Sequence, residues 1–184
     1  MWYQIIDDVQ YPNRWHMDTV VPANGDEWAF WCFLDPTAHI DESVWNVRIQ
    51  YPGEQLNFTF SGFDVPIVDS NALEAFRSVA EKDFKSIPVK VQNVKDQFYI
   101  LQVTNEVECV DEKLSVFDKW AEEDERPDKI GEYKMFAKLR IDKKKIPQGL
   151  NLFRIKGWEV AVVCSEKVKR ELTNITGIKY NEVT

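Results

Sequence analysis

Two histidines, three cysteines and 31 acidic side chains are the groups in this chain best suited to binding metal or moving protons. His16 and His39 are not spaced i, i+4, and no paired carboxylates frame them as a metal site. Cys32, Cys109 and Cys164 each lie in an apolar run without C-x-x-C spacing. That pattern predicts buried, reduced thiols, with neither a disulfide framework nor a zinc site. No serine stands in a G-x-S-x-G turn, and the seven scattered glycines make no phosphate-binding loop. Adjacent acids such as Asp7-Asp8, Asp41-Glu42 and Glu122 to Glu125 imitate the carboxylate pairs of a hydrolase. Such a pair needs opposed environments, and in a chain this rich in acids neighbours arise by chance. The expectation is therefore no catalytic residue, no metal and no cofactor.

The elements that would position any site follow from pattern. The chain has 184 residues, 44% hydrophobic and 29% charged, which fits one soluble globular domain spanning 1–184. Proline punctuates the first 69 residues, favouring short strands and turns, and an acidic, aromatic-rich N-terminal lobe over about 1–69 is an alternative division. Leu56, Phe58 and Phe60 alternate onto one strand face. Asp69, Ser70 and Asn71 offer caps for a helix whose Leu73, Phe76, Val79 and Ala80 share a face. Strands are predicted over 87–91 and 97–103, with turn residues 93–96 between them. Leu114, Phe117, Trp120 and Ala121 show helical spacing. Later strands are expected at 133–141, 151–155 and 159–163, then a helix capped by Ser165, carrying Val168, Leu172 and Ile175, and ended by Gly177. The fold class is α+β: β-rich, with mainly antiparallel strands and two or three helices.

Charge narrows the partners. The net charge is -8, but the first 76 residues hold two bases against twelve acids, a net -10, leaving +2 for the rest. Five of the seven tryptophans fall in that acidic stretch. Such a balance disfavours nucleic acid and anionic membranes as partners. The N-terminus has neither the basic nor the apolar region of a signal peptide, so a cytoplasmic location is expected. The acidic aromatic segment supports two readings: a β-rich core with solvated acids, or a docking face for a basic protein, since tryptophan anchors interfaces and acids steer association.

A series of short motifs carries a resemblance. Phe63-Asp64-Val65-Pro66-Ile67-Val68 precedes the capped helix and Ile87-Pro88-Val89. Then come Phe98 to Val103, Val107 to Asp111 with Ser115 beyond, Leu152-Phe153-Arg154 and Ser165-Glu166. In this order, from Trp2 to about Gly177, the chain resembles immunity protein family eleven of bacterial polymorphic toxin systems. The resemblance implies a cytosolic protein that binds and neutralises a cognate toxin, with no catalysis and no cofactor. Asp64, Pro66, Asp111, Ser115, Phe153 and Ser165 carry over as motif positions with an architectural role. The toxin-facing residues are then expected in the acidic remainder: Asp26, Glu27, Trp28, Trp31, Asp41, Glu42 and Trp45, with tryptophans acting as anchors where exposed. The partner expected is a basic protein toxin. A carboxylate hydrolase and an interaction module unrelated to toxins are the alternatives.

Overall fold

A computed structural model describes residues 1–26, 29–40 and 44–184. Among them run β1 (Trp2–Asp7), β2 (His16–Met17), β3 (Val21–Pro22), β4 (Trp45–Val47), β5 (Ile49–Tyr51), β6 (Phe58–Ser61) and β7 (Val65–Asp69). The helix α1 (Ser70–Ala80) follows, then β8 (Phe84–Val91), β9 (Phe98–Val103), β10 (Glu106–Val107), β11 (Val116–Lys119) and β12 (Tyr133–Lys138). The chain ends with β13 (Leu152–Ile155), β14 (Trp158–Ser165), α2 (Glu166–Glu171) and β15 (Ile178–Glu182).

The strands form a six-stranded sheet, β3-β4-β8-β9-β7-β6, and a five-stranded sheet, β10-β13-β14-β1-β15. Two small antiparallel pairs, β2-β5 and β11-β12, complete the α+β fold. Pairing is mainly antiparallel; β4 with β8 and β10 with β13 are parallel. A boundary near residue 69 does not separate the sheets, because β1 lies between β14 and β15. No helix among the described residues is long and apolar enough to cross a membrane.

Alternation along the strands explains how both large sheets are buried on two faces. In β9, Phe98 and Ile100 point to one side, into a cluster with Trp15, Phe30, Phe33 and Trp45. Leu101 and Val103 point to the other, where α1 buries Ala72, Leu73, Phe76 and Ala80. That second cluster also takes Leu152, Val162 and Cys164 from the five-stranded sheet and Val168 and Leu172 from the α2 region, so both helices bridge the two sheets. The alternate residues of β13 and β14, Phe153, Ile155, Ala161 and Val163, face a third cluster with Val107, Cys109, Leu139 and Ile141. Tyr133, Phe136 and Trp158 pack on its edge.

Local chemistry fixes the joints. Asp69 caps α1 by accepting the Ala72 N–H at 2.8 Å. The buried Asp83 carboxylate accepts the N–H groups of Asn151 and Leu152 at 2.8 and 3.0 Å, tying the end of α1 to β13. Gly177 has φ +94°, and a Cβ there would collide with the Phe58 carbonyl oxygen. Cys32, Cys109 and Cys164 are free thiols, the last two buried.

Three local expectations change. The apolar run at 29–33 is a 3-10 helix instead of a strand. Phe117, whose spacing with Leu114 and Trp120 suggested a helix, lies in β11 and pairs with β12, where Phe117, Tyr133 and Phe136 pack ring to ring at 4.8–5.7 Å. Ser165 precedes α2, but its hydroxyl makes no cap and instead donates to Asn151 Oδ1 at 2.9 Å.

Candidate functional site

The main cleft, about 570 Å³, opens between the 29–40 segment, the start of β14 and the β11-β12 arm. Four separate stretches line it: Trp31 to Thr37, Glu106, the arm residues Trp120 to Lys134, and Trp158 to Val160. Three tryptophans, Trp31, Trp120 and Trp158, thus converge from distant parts of the chain.

Each wall has a visible cause. Trp31 is 40% exposed and rests on Phe30 and Phe63, whose own rings stack at 4.1 Å and 8°. Phe63 and Asp64 both adopt left-handed backbone, φ 61° and 56°. Two successive non-glycine residues in that region store strain, which is held by the surroundings. The holder is Arg154, fully buried, whose guanidinium donates to the Asp64 carbonyl at 3.3 Å and to the Glu159 carbonyl. Burial pushes the Arg154 pKa down to about 10, partly offset by Asp64 and Glu159. Arg154 therefore links the turn under Trp31 to the β14 wall. Trp158 packs on Phe136 at 4.6 Å, and Gly157 (φ +77°) donates its N–H to Glu159 Oε1 at 3.0 Å.

The charges of the cleft fall into two groups. Its cations already have partners: Lys129 with Glu132 at 3.1 Å, Arg126 with Asp128 at 2.9 Å, and Lys134 with Asp124. Lys134 and Arg126 also lie over the Trp120 ring, 5.0 and 5.8 Å from its centre. Asp35, Glu106 and Glu159 have no ion pair among the described residues. Asp35 accepts both the N–H and the hydroxyl of Thr37 at 2.7 Å, which lowers its pKa. Glu106 is raised, first by burial and then by the charge of Glu159, with Asp35 and Glu132 adding to it against Lys156.

A raised carboxyl pKa means that the fold penalises the ionised form, fully above the folded value and not at all well below the ordinary 4.5. Glu106→Gln should accordingly raise the melting temperature at pH 7, and that advantage should vanish as the pH falls toward 4. Thermal melts across pH check this; an equal or lower melting temperature at pH 7 would contradict it.

The cleft lining contains no histidine, cysteine or serine. Among the described residues no group of three or more metal-binding side chains occurs. His16 packs edge-on to Tyr51, and His39 lies in a separate hollow of about 470 Å³.

The residues expected at the site are divided. Trp31 lines the main cleft. Asp26 and Trp45 line the separate hollow with Pro22, Cys32 and His39. Trp45 is only 4% exposed and packs on Phe33, so it belongs to the core and fails the exposure condition for an anchor. Glu27, Trp28, Asp41 and Glu42 lie outside the described residues. The motif positions take structural places. Asp64 turns β6 into β7, where Pro66 is buried. Asp111 accepts the Lys113 and Leu114 N–H groups. Ser115 Oγ both donates to and accepts from the Arg140 backbone, at 3.1 and 2.9 Å. Phe153 is fully buried. Trp120, Trp158, Glu106 and Glu159 were missed, because nothing local in the sequence marks residues that tertiary pairing brings together.

Fold and cleft together define an acidic α+β domain with an aromatic, carboxylate-edged recess and walls set by buried polar ties. The chain belongs to the immunity protein family Imm11, whose model matches residues 67–184. The match begins inside β7, so Asp64, Pro66 and the acidic N-terminal stretch lie outside it, and it is shorter at that end than the motif resemblance. No curated protein matches the chain.

Proposed function

We propose that this protein neutralises a cognate bacterial toxin in the cytoplasm by binding it and covering its active site, with no catalysis of its own. The membership of the immunity protein family over residues 67–184 carries this reading. Charge supports the choice of partner. A net -10 over the first 76 residues favours a basic surface, such as that of a nuclease, which must itself attract phosphates. A stable complex of this kind buries about 1,200–2,000 Å².

The direct test is binding to the purified product of the adjacent gene. A one-to-one complex should form that weakens as salt rises, because exposed charges are screened beyond about 8–10 Å at physiological ionic strength. Absence of a complex at low salt would overturn the reading for that pair.

A further inference from the structure

We propose that the cleft between Trp31, Trp120 and Trp158 is where the toxin docks, receiving an arginine-bearing basic loop; this deepens the toxin-binding reading and rests on it. Three observations converge. The cleft volume, about 570 Å³, lies in the ~300–1,000 Å³ range of binding sites and accommodates one or two side chains of an inserted loop. Its aromatic walls are the residue type that anchors interfaces, and Trp31 offers a ring that is 40% exposed. Its charge is complementary to a cation: Asp35, Glu106 and Glu159 lack ion pairs while every cation on the arm already has one.

An incoming guanidinium would supply the missing counter-charge and a planar surface to stack on indole, which an ammonium does less well. Lys134 and Arg126 already use Trp120 in this way, so cation-on-indole packing is part of how the arm is built. A phosphate-bearing ligand would meet three uncompensated carboxylates and only paired cations. The acidic N-terminal segment runs directly into Trp31, so the charges that steer a basic partner lead to the residue that anchors it.

The test compares the wild-type protein with Glu106→Gln/Glu159→Gln and Trp31→Ala in calorimetric titration of the purified product of the adjacent gene. A glutamine at 159 still accepts the Gly157 N–H, and Glu171→Gln, on exposed α2, serves as control. Each cleft variant should weaken binding about tenfold or more, as interface anchors do, with the control unchanged and circular dichroism confirming an intact fold. Equal affinity of wild type and both cleft variants would overturn the proposal. A second arm is independent of the toxin reading: acetyl-Arg-Arg amide should shift the indole N–H resonances of Trp31, Trp120 and Trp158, and acetyl-Glu-Glu amide should not. If the wild type fails to bind the adjacent product but responds to the arginine peptide, the toxin assignment falls and the cleft chemistry stands. If it responds to neither, both fall.

Discussion

Phe153→Ala is expected to destabilise the protein by about 3–5 kcal/mol, the range for emptying a fully buried phenylalanine site. The ring is 0% exposed and meets Trp2 edge-on at 5.3 Å. It fills the third apolar cluster together with Val163, Ile155 and Leu139, under the packed rings of Tyr133, Phe136 and Trp158. Little can collapse into the vacated space, because β13 is fixed on both sides by β10 and β14. Since the same cluster supports the arm, the variant should also loosen the cleft. Urea unfolding at constant m-value checks the first effect. A loss below about 1 kcal/mol would show that this cluster is not a close-packed core.

Arg14→Met should cost about 3 kcal/mol or more, because it breaks a buried pair and leaves one charge behind. The Arg14 side chain is 3% exposed; its guanidinium contacts Asp7 Oδ1 at 3.0 Å and Thr59 Oγ1 at 2.8 Å. Asp7 also accepts the Phe60 N–H at 3.1 Å, which joins β1 to β6 and so one sheet to the other. Burial raises the Asp7 pKa, even against the lowering influence of that N–H and of Arg14. A carboxyl raised in the folded state is least costly when protonated, so the deficit of Arg14→Met should shrink as the pH falls through that raised value. It should also shrink at pH 7 in Arg14→Met/Asp7→Asn, where no charge is stranded. Chemical unfolding of the single and double variants provides the measurement. A double variant as unstable as the single one would contradict the pairing argument.

Sequence pattern was informative wherever structure is local. The Asp69 cap, the apolar face of α1 and the β8-β9 hairpin all follow from residues within a few positions of one another. The arm was not legible for the opposite reason. Phe117 has helix-like spacing with Leu114 and Trp120, but its partners Tyr133 and Phe136 lie 16 and 19 positions away. Long-range ring packing overrides a local periodicity that any short apolar segment can imitate. Ser165 is similar: its position before a helix suggested a cap, and a neighbour from β13's start, Asn151, takes the hydroxyl instead. Trp31 was legible as an anchor because an exposed aromatic beside acids is a compositional signal. Glu106 and Glu159 were not, since only the sheet topology places β10 and β14 beside the 29–40 segment.

The central claim, that this protein protects against a toxin, is tested most directly by growth. The adjacent gene is expressed alone and then together with this chain in a susceptible host. Loss of growth with the neighbour alone, and its restoration by co-expression, is the predicted result. A neighbour that is harmless alone, or one that kills despite this protein, would contradict the account for that pair.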